Sequence, residues 1–245
     1  MLTQVDHGAV TEVVLSTRYT RLIGFRVSAF LHRGIMVDTG FVVTHFHEDH
    51  AGNLGLVTER GIPATVSAET LRRHRDLVRV PPYRWAVWGH PHVSLREPAP
   101  AEHPFQLIPT PGHTTDHVAV YDPDARVVFT GDLFLGVKAA LAHADESPVD
   151  MVASLRTVLA LEPKVVFDSH RGLLRDPMAL LNAKADWLEA TIEAIRAAHR
   201  AGKTDSAIVR ELLGGEDRAA VVSFGQVSKR NFVRVVLART TASRS

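Results

Sequence analysis

The chain contains no cysteine. A disulfide framework, a thiolate zinc site, an iron–sulfur cluster and a cysteine nucleophile are all excluded at once. It also has no apolar run near the roughly 18 residues that a membrane helix needs, so no membrane partner is expected. The amino end, Met1 to His7, has neither a basic stretch nor an apolar one. No signal peptide is therefore expected, and a cytoplasmic location is. Charge of one sign is scarce too, with 28 Lys and Arg against 27 Asp and Glu and a formal net charge of +1. A protein whose main partner is nucleic acid carries a basic surplus, so that partner is not expected here. From Arg196 onward ten basic residues stand against four acidic ones, a local imbalance that reads as a solvated helical face.

What is present is 245 residues, 45% hydrophobic, enough for an ample globular core. Short apolar runs at Val10–Leu15, Val27–Leu31 and Ile35–Val37 read as strands, as do Phe41–Thr44 and Ala64–Val66. Leu54–Arg60 and Glu69–Val78 read as helices. The stretch 79–104, rich in Pro and aromatic residues, obeys no period and reads as a loop or lid. Strand signals return at Phe105–Ile108, Val118–Tyr121, Val127–Thr130 and Val165–Phe167, with a helix over 149–161 between the last two. From Pro177 the pattern is helical over 178–200, 204–213 (with Thr204 as cap) and 227–238. In the first of these, Leu180, Leu181, Trp187, Leu188, Ile192 and Ile195 form a core stripe. Interleaved strands and helices followed by a helical tail imply a layered α/β fold. We divide it into a main domain over 1–200 and a helical extension of that domain over 201–245.

The unusual residue is histidine, with 14 copies. Four possible ligands fall within six residues in His45-Phe46-His47-Glu48-Asp49-His50. In extended chain His45 and His47 share a face, and a turn into a helix brings Asp49 and His50 to the same volume. A divalent ion can use such a geometry directly. Three further candidates each follow a predicted strand: His113 after Pro111-Gly112, Asp132 after Thr130-Gly131, and His170 after Asp168-Ser169. Strand-end loops are where α/β folds place their chemistry. His117 reads as a structural residue at a strand start, and His143 as a loop residue.

This set of motifs resembles the metallo-β-lactamase fold superfamily of metal-dependent hydrolases, over roughly residues 25–200. The resemblance implies an αββα sandwich, two mixed β-sheets with helices outside, plus the C-terminal helical extension. It implies one metal held by His45, His47 and His113, and a second held by Asp49, His50 and His170. Asp132 would bridge them, with Asp49 and Asp132 the residues expected to act in catalysis. Asp38, in Val37-Asp38-Thr39-Gly40, looks like the superfamily's first motif, which orients the metal-binding histidines. The implied chemistry is attack by a hydroxide shared between two Zn2+ ions (Mn2+ or Fe2+ as alternatives) on an ester, thioester or lactone of a small molecule.

The sequence also departs from the superfamily pattern. Only Phe41 to Thr44 separate Gly40 from His45, too few for a parallel crossover, which takes about a dozen residues. Residues 35–44 are thus expected to run on as one strand or to pair differently, or else the amino-terminal sheet is pared down. His170 is followed by Arg171-Gly172 rather than by the glutathione-thioester enzymes' Glu-Tyr, so that substrate specificity is not carried over. Tyr83, Trp85 and Trp88, with Phe134 opposite, are candidates for an apolar substrate wall. The first three serve equally well as packing or as a homodimer surface. Two rival activities stand beside hydrolysis. One is a persulfide dioxygenase holding a single iron through His45 or His47, His113 and Asp132. The other is an RNA or nucleotide phosphodiesterase, favoured only by the basic tail. A non-enzymatic interaction module is disfavoured because no ligand position is missing.

Overall fold

The computed structural model describes residues 2–16, 26–93, 96–140 and 142–242, so the last three residues of the helical tail lie outside the described residues. The amino-terminal sheet is a meander of β1 (Leu2–Asp6), β2 (Val10–Leu15), β3 (Val27–His32) and β4 (Ile35–Val37), adjacent in that order and antiparallel. Nothing in the sequence pattern announces β1. All five of its residues are exposed at the sheet edge, so no buried face imposes alternation. Parallel single bridges from Val37 to Val42 and from Val42 to Thr65 extend the sheet and make it mixed. The strands expected at 41–44 and 64–66 are reduced to these bridges.

The chain resolves its short connection with a turn. Asp38, Thr39 and Gly40 have φ of +66°, +55° and +97°, three left-handed residues in succession. The chain folds back, so that the Asp38 N–H donates to Val42 O at 2.7 Å and the Val42 N–H to Met36 O at 3.1 Å. Residues 35–44 therefore pair differently, and no crossover is needed. A Cβ at Gly40 would lie 2.9 Å from the backbone of Asn53 and Leu54, which leaves room only for glycine.

Helices α1 (Glu48–Ala51), α2 (Leu54–Glu59), α3 (Ala68–His74, running into a 3-10 turn over Arg75–Arg79) and α4 (Pro82–Trp88) separate the two sheets in the chain. Helix α4 corrects the expected loop. It has Pro at its first turn and stops at Gly89 with φ of +87°, but seven residues are too few to display a helical period. The second sheet is ordered β5 (Gln106–Pro109), β6 (Val118–Asp122), β7 (Val127–Phe129), β8 (Val165–Asp168) and β9 (Gly172–Leu173). Its strands are antiparallel except β7 and β8, which are parallel, with α5 (Pro148–Ala160) lying in the connection between them. Helices α6 (Pro177–Arg200), α7 (Asp205–Leu213), α8 (Arg218–Val222) and α9 (Lys229–Ala242) complete the chain.

Two core clusters hold the layers together. Between the sheets Phe30, Phe129 and Phe167 form a triangle of rings with centroids 5.1 to 5.6 Å apart. On the other face of the second sheet, Ala119, Val128 and Val166 pack with Leu155 of α5 and Leu181, Leu188, Ile192 and Ile195 of α6. Ile208 of α7 and Phe232, Val233 and Val236 of α9 belong to the same cluster. Leu180 and Trp187, the other members of the expected stripe, pack at its margin. The architecture is two mixed sheets with helices, plus C-terminal helices. Among the described residues no helix is long and apolar enough to cross a membrane.

Lys184 of α6 is an expensive member of this core. It is 1% exposed, and its Nζ donates to Ala139 O at 3.3 Å. Burial brings its pKa down to about 8. An unfolded lysine keeps its proton to about pH 10.4, so between those values the unfolded state binds more protons and stability rises with pH. At neutral pH the buried charge is a cost. We expect Lys184→Met to raise the Tm at pH 7 by about 5 °C and to flatten the rise between pH 8 and 10, as measured by thermal melts across that range.

Candidate metal centre

The donor loop is built from the left-handed turn outward. Asp38 Oδ1 accepts the Thr44 N–H and the Thr44 hydroxyl, both at 2.9 Å, while Asp38 Oδ2 faces His50 Nδ1 at 3.0 Å and Ser169 Oγ at 3.3 Å. So clamped, residues 44–47 bend rather than extend before entering α1. His45 and His47 therefore meet by curvature, not by strand alternation as expected. His45 Nε2 lies 3.1 Å from His47 Nδ1, and His113 Nε2 lies 3.0 Å from the same atom. The turn over Pro111–Thr114 brings in His113, whose Nε2 is 3.4 Å from Asp132 Oδ2.

On the other side, His170 Nε2 lies 3.1 Å from Asp132 Oδ1 and 3.6 Å from Asp49 Oδ2. His50 Nε2 lies 3.3 Å from Asp132 Oδ1 and 3.6 Å from Asp49 Oδ2. The structure thus gathers all seven predicted residues into two groups, His45, His47, His113 and Asp132, and Asp49, His50 and His170. Within each group the donor atoms lie within 4.8 Å of one another.

A family model described as the metallo-beta-lactamase superfamily matches residues 34–170. The chain belongs to this superfamily. A hydroxyacylglutathione hydrolase from Fuscovulum blasticum is 28% identical over 149 residues, 58% of this chain and 53% of that one. A beta-lactamase-like protein 2 homolog from Drosophila melanogaster is 28% identical over 148 residues, 58% of this chain and 47% of that one. The chain thus spans about half the length of these curated relatives. Among solved structures, a metallo-beta-lactamase family protein from Thermus thermophilus has a TM-score of 0.65 over 96% of this chain and 94% of its own, at 18% identity. That last likeness is one of fold.

In this superfamily member several donor rings meet a second group on the side away from the chamber. His170 Nδ1 donates to Arg26 O at 2.6 Å. Thr44 Oγ1, its proton given to Asp38, accepts from His45 Nδ1 at 3.1 Å. His113 Nδ1 lies 3.5 Å from Glu146 Oε2. Contacts of this kind fix tautomer and ring direction. His117, as expected, is structural. Burial lowers its pKa to about 3, so the neutral ring accepts the Asp132 N–H at 3.1 Å through Nε2, while its Nδ1 side meets Thr110 Oγ1 at 2.9 Å. Asp168 shapes the last loop by accepting the N–H groups of Leu135, His170 and Arg171 at 2.8 to 3.0 Å. We expect Asp38→Ala to weaken metal binding 10- to 100-fold, measured by competition with a chromophoric chelator.

The electrostatics suit cations. Burial, reinforced by the neighbouring imidazoles, holds His45 and His47 well below the usual histidine range, so their lone pairs are free of protons. Burial would also lower His50 and His170, but the facing carboxylates override it, keeping His50 well above its usual value and raising His170 to about 9. Asp132, despite its burial, is held well below the carboxylate range by His170 and His50. Protons here do the work that a bound cation can do. His50 Nε2 and Asp132 Oδ1 are buried with no well-formed hydrogen bond, two polar atoms aimed at one volume. The residues present fit metal ions.

Of the expected substrate wall, Trp88 lines a cavity of about 370 Å³ that also touches Asp49. Tyr83 donates its hydroxyl to Gln226 Oε1 at 2.7 Å, and the Trp85 ring lies tilted against that of His90 with centroids 4.6 Å apart. Phe134 is drawn into the core cluster and is 3% exposed, so the wall is built without it. Two residues escaped the sequence reading. Glu48, inside the histidine motif, is gripped by the Arg84 guanidinium from α4, with Nη2 to Oε2 at 2.8 Å and a second bond from Nε to Oε1. Glu146 backs His113 from a loop. Neither has a local pattern, since each partner is more than thirty residues away in the chain.

Proposed function

We propose that this superfamily member is a hydrolase carrying two metal ions, zinc by preference, and acting on an ester, thioester or lactone of a small molecule. One observation carries the reading: two donor groups share a single chamber, with the Asp132 carboxylate facing both. His45, His47 and His113 would hold one ion and Asp49, His50 and His170 the other. Ions bound there supply a water of near-neutral pKa and polarise a carbonyl. Imidazole and carboxylate donors without thiolate suit zinc, with manganese or iron next.

The chain's own residues supply the rest. The clamp of Asp38 on Thr44 and His50 holds the donor loop in register. Asp132 offsets positive charge at the centre of the chamber. Asp49 borders the cavity, and the carboxylate that would hold the second ion thus also stands where a substrate enters. The second donor group brings three further ligand positions beside the four of the first, which favours two ions over the single-iron dioxygenase. A relative named as a hydroxyacylglutathione hydrolase supports hydrolysis.

Elemental analysis of protein purified without added metal tests this reading, alongside turnover of esters, thioesters and lactones. The expected result is about two zinc per chain, with activity lost to a chelator and restored by zinc. About one iron per chain, with oxygen uptake on persulfides, would overturn it. So would a failure to take up metal on reconstitution.

A further inference from the structure

Three irregular segments carry or back the histidines of the first donor group, and no strand or helix fixes them. Residues 44–47 bend, the turn over Pro111–Thr114 presents His113, and the loop holding Glu146 stands behind His113. Backbone of this kind keeps ligands in register only where side chains outside it hold it there. One side chain reaches all three segments. Arg73, near the end of α3, lays its guanidinium over the ring of Phe46, the residue between His45 and His47, with Cζ 3.9 Å from the ring centroid. Its Nη1 donates to Thr115 Oγ1 at 3.1 Å and lies 3.7 Å from Asp116 Oδ1, both just beyond His113 in the chain. Its Nη2 donates to Asp145 Oδ2 at 2.8 Å, next to Glu146.

This is not a solvated surface pair. The Arg73 side chain is 17% exposed, whereas that of Arg72 beside it is 69% exposed and pairs with Glu69 on the same helix. Asp116 is buried, and its Oδ2 accepts the hydroxyl of Thr70, also in α3, at 2.7 Å. Its Oδ1 has no hydrogen bond and faces the guanidinium, which is its counter-charge. A planar fork of donors can serve several partners at once, as the point charge of a lysine cannot. We infer that Arg73 is a positioning residue for the first ion, fixing the Phe46, His113 and Glu146 segments against one another so that three imidazole nitrogens converge. No partner of Arg73 among the described residues adjoins Asp49, His50 or His170 in the chain, so the second ion is indifferent to it. This rests on the two-ion reading.

Zinc affinity, measured by competition with a chromophoric chelator, tests this in two backgrounds. His170→Ala leaves the first donor group whole, and His113→Ala leaves the second. Adding Arg73→Ala is expected to weaken zinc binding about 10- to 100-fold in the first background and to leave it within about twofold in the second. Arg73→Lys, which keeps the charge but not the fork, is expected to restore only part of the loss. If Arg73→Ala does not fold, Asp145→Ala removes one tether at an exposed acid, and a loss of about fivefold in the first background alone is expected. An equal loss in both backgrounds would assign Arg73 to general stability and overturn the inference, as would unchanged affinity in both. Either result leaves the two-ion reading intact. A His113→Ala protein that takes up no zinc would count against the second ion, and the loss in the His170→Ala background then decides for Arg73 by itself. No zinc in the His170→Ala protein would sink both.

Discussion

An Asp132→Ala variant is expected to lose on the order of 10³-fold in kcat/KM while keeping its fold. Asp132 is the only one of the seven donors whose carboxylate lies within 3.5 Å of imidazoles from both groups, 3.4 Å from His113 and 3.1 Å from His170. Its removal unlinks the two halves of the chamber and strips out the negative charge that balances the ions. The backbone has reason to stay in place. The N–H that binds His117 belongs to the main chain and survives the substitution, and Leu133 beside it is fully buried. Metal content should fall below two per chain, and circular dichroism should be unchanged. Asp132→Asn separates charge from shape, since it keeps the volume and should still lose activity. Turnover at the wild-type level in either variant would sink the proposed mechanism.

The largest expected effect on stability comes from Arg84→Ala. The Glu48 side chain is 2% exposed and that of Arg84 14% exposed, so the substitution leaves a carboxylate buried without its partner. Breaking such a pair costs about 3–5 kcal/mol, which for a chain of this size lowers the Tm by about 10 °C. Burial already pushes the Glu48 carboxyl up, with Arg84 holding it back. Without the guanidinium, Glu48 gains a proton more readily. The deficit is therefore largest near pH 7 and shrinks as the pH falls and the carboxyl neutralises. A double change of Glu48 and Arg84 to methionine should recover most of the loss, because an apolar pair leaves no charge stranded. Melts of the two variants across pH decide the matter. An Arg84→Ala protein as stable as the parent at pH 7 would show that the pair is solvated.

The site was more legible than its supports, and the reason is local density. His45, His47, Asp49 and His50 lie within six residues, and chemistry packed that tightly shows without knowledge of the fold. His113, Asp132 and His170 were readable because each follows a short apolar run that signals a strand end. What could not be read depends on pairing across distance. Arg84 meets Glu48 only because α4 folds back over the donor loop, and α4 itself is too short to show a period. Glu146 reaches His113 through a loop with no sequence signature. The bend at 44–47 went unread because its cause, Asp38, acts through hydrogen bonds that a strand-like run of Phe41, Val42 and Val43 conceals. Strand β1 was missed for the opposite reason: it buries nothing, so it leaves no pattern.

The left-handed turn at Asp38, Thr39 and Gly40 has a consequence for how this segment tolerates mutational drift. Gly40 admits no side chain, Asp38 is held by four contacts, and Val42 and Val43 are fully buried. Thr44 is bound by Asp38 in its turn, and the donor loop follows at once. Across the thirteen positions from 38 to 50, almost every residue answers to a backbone angle, a core contact or a donor position. A longer connection would spread those duties over more residues and leave room for neutral change. Here folding and chemistry occupy the same few positions. Divergence within this lineage should therefore accumulate outside positions 38–50, in segments where a changed side chain disturbs neither the turn nor the donor loop.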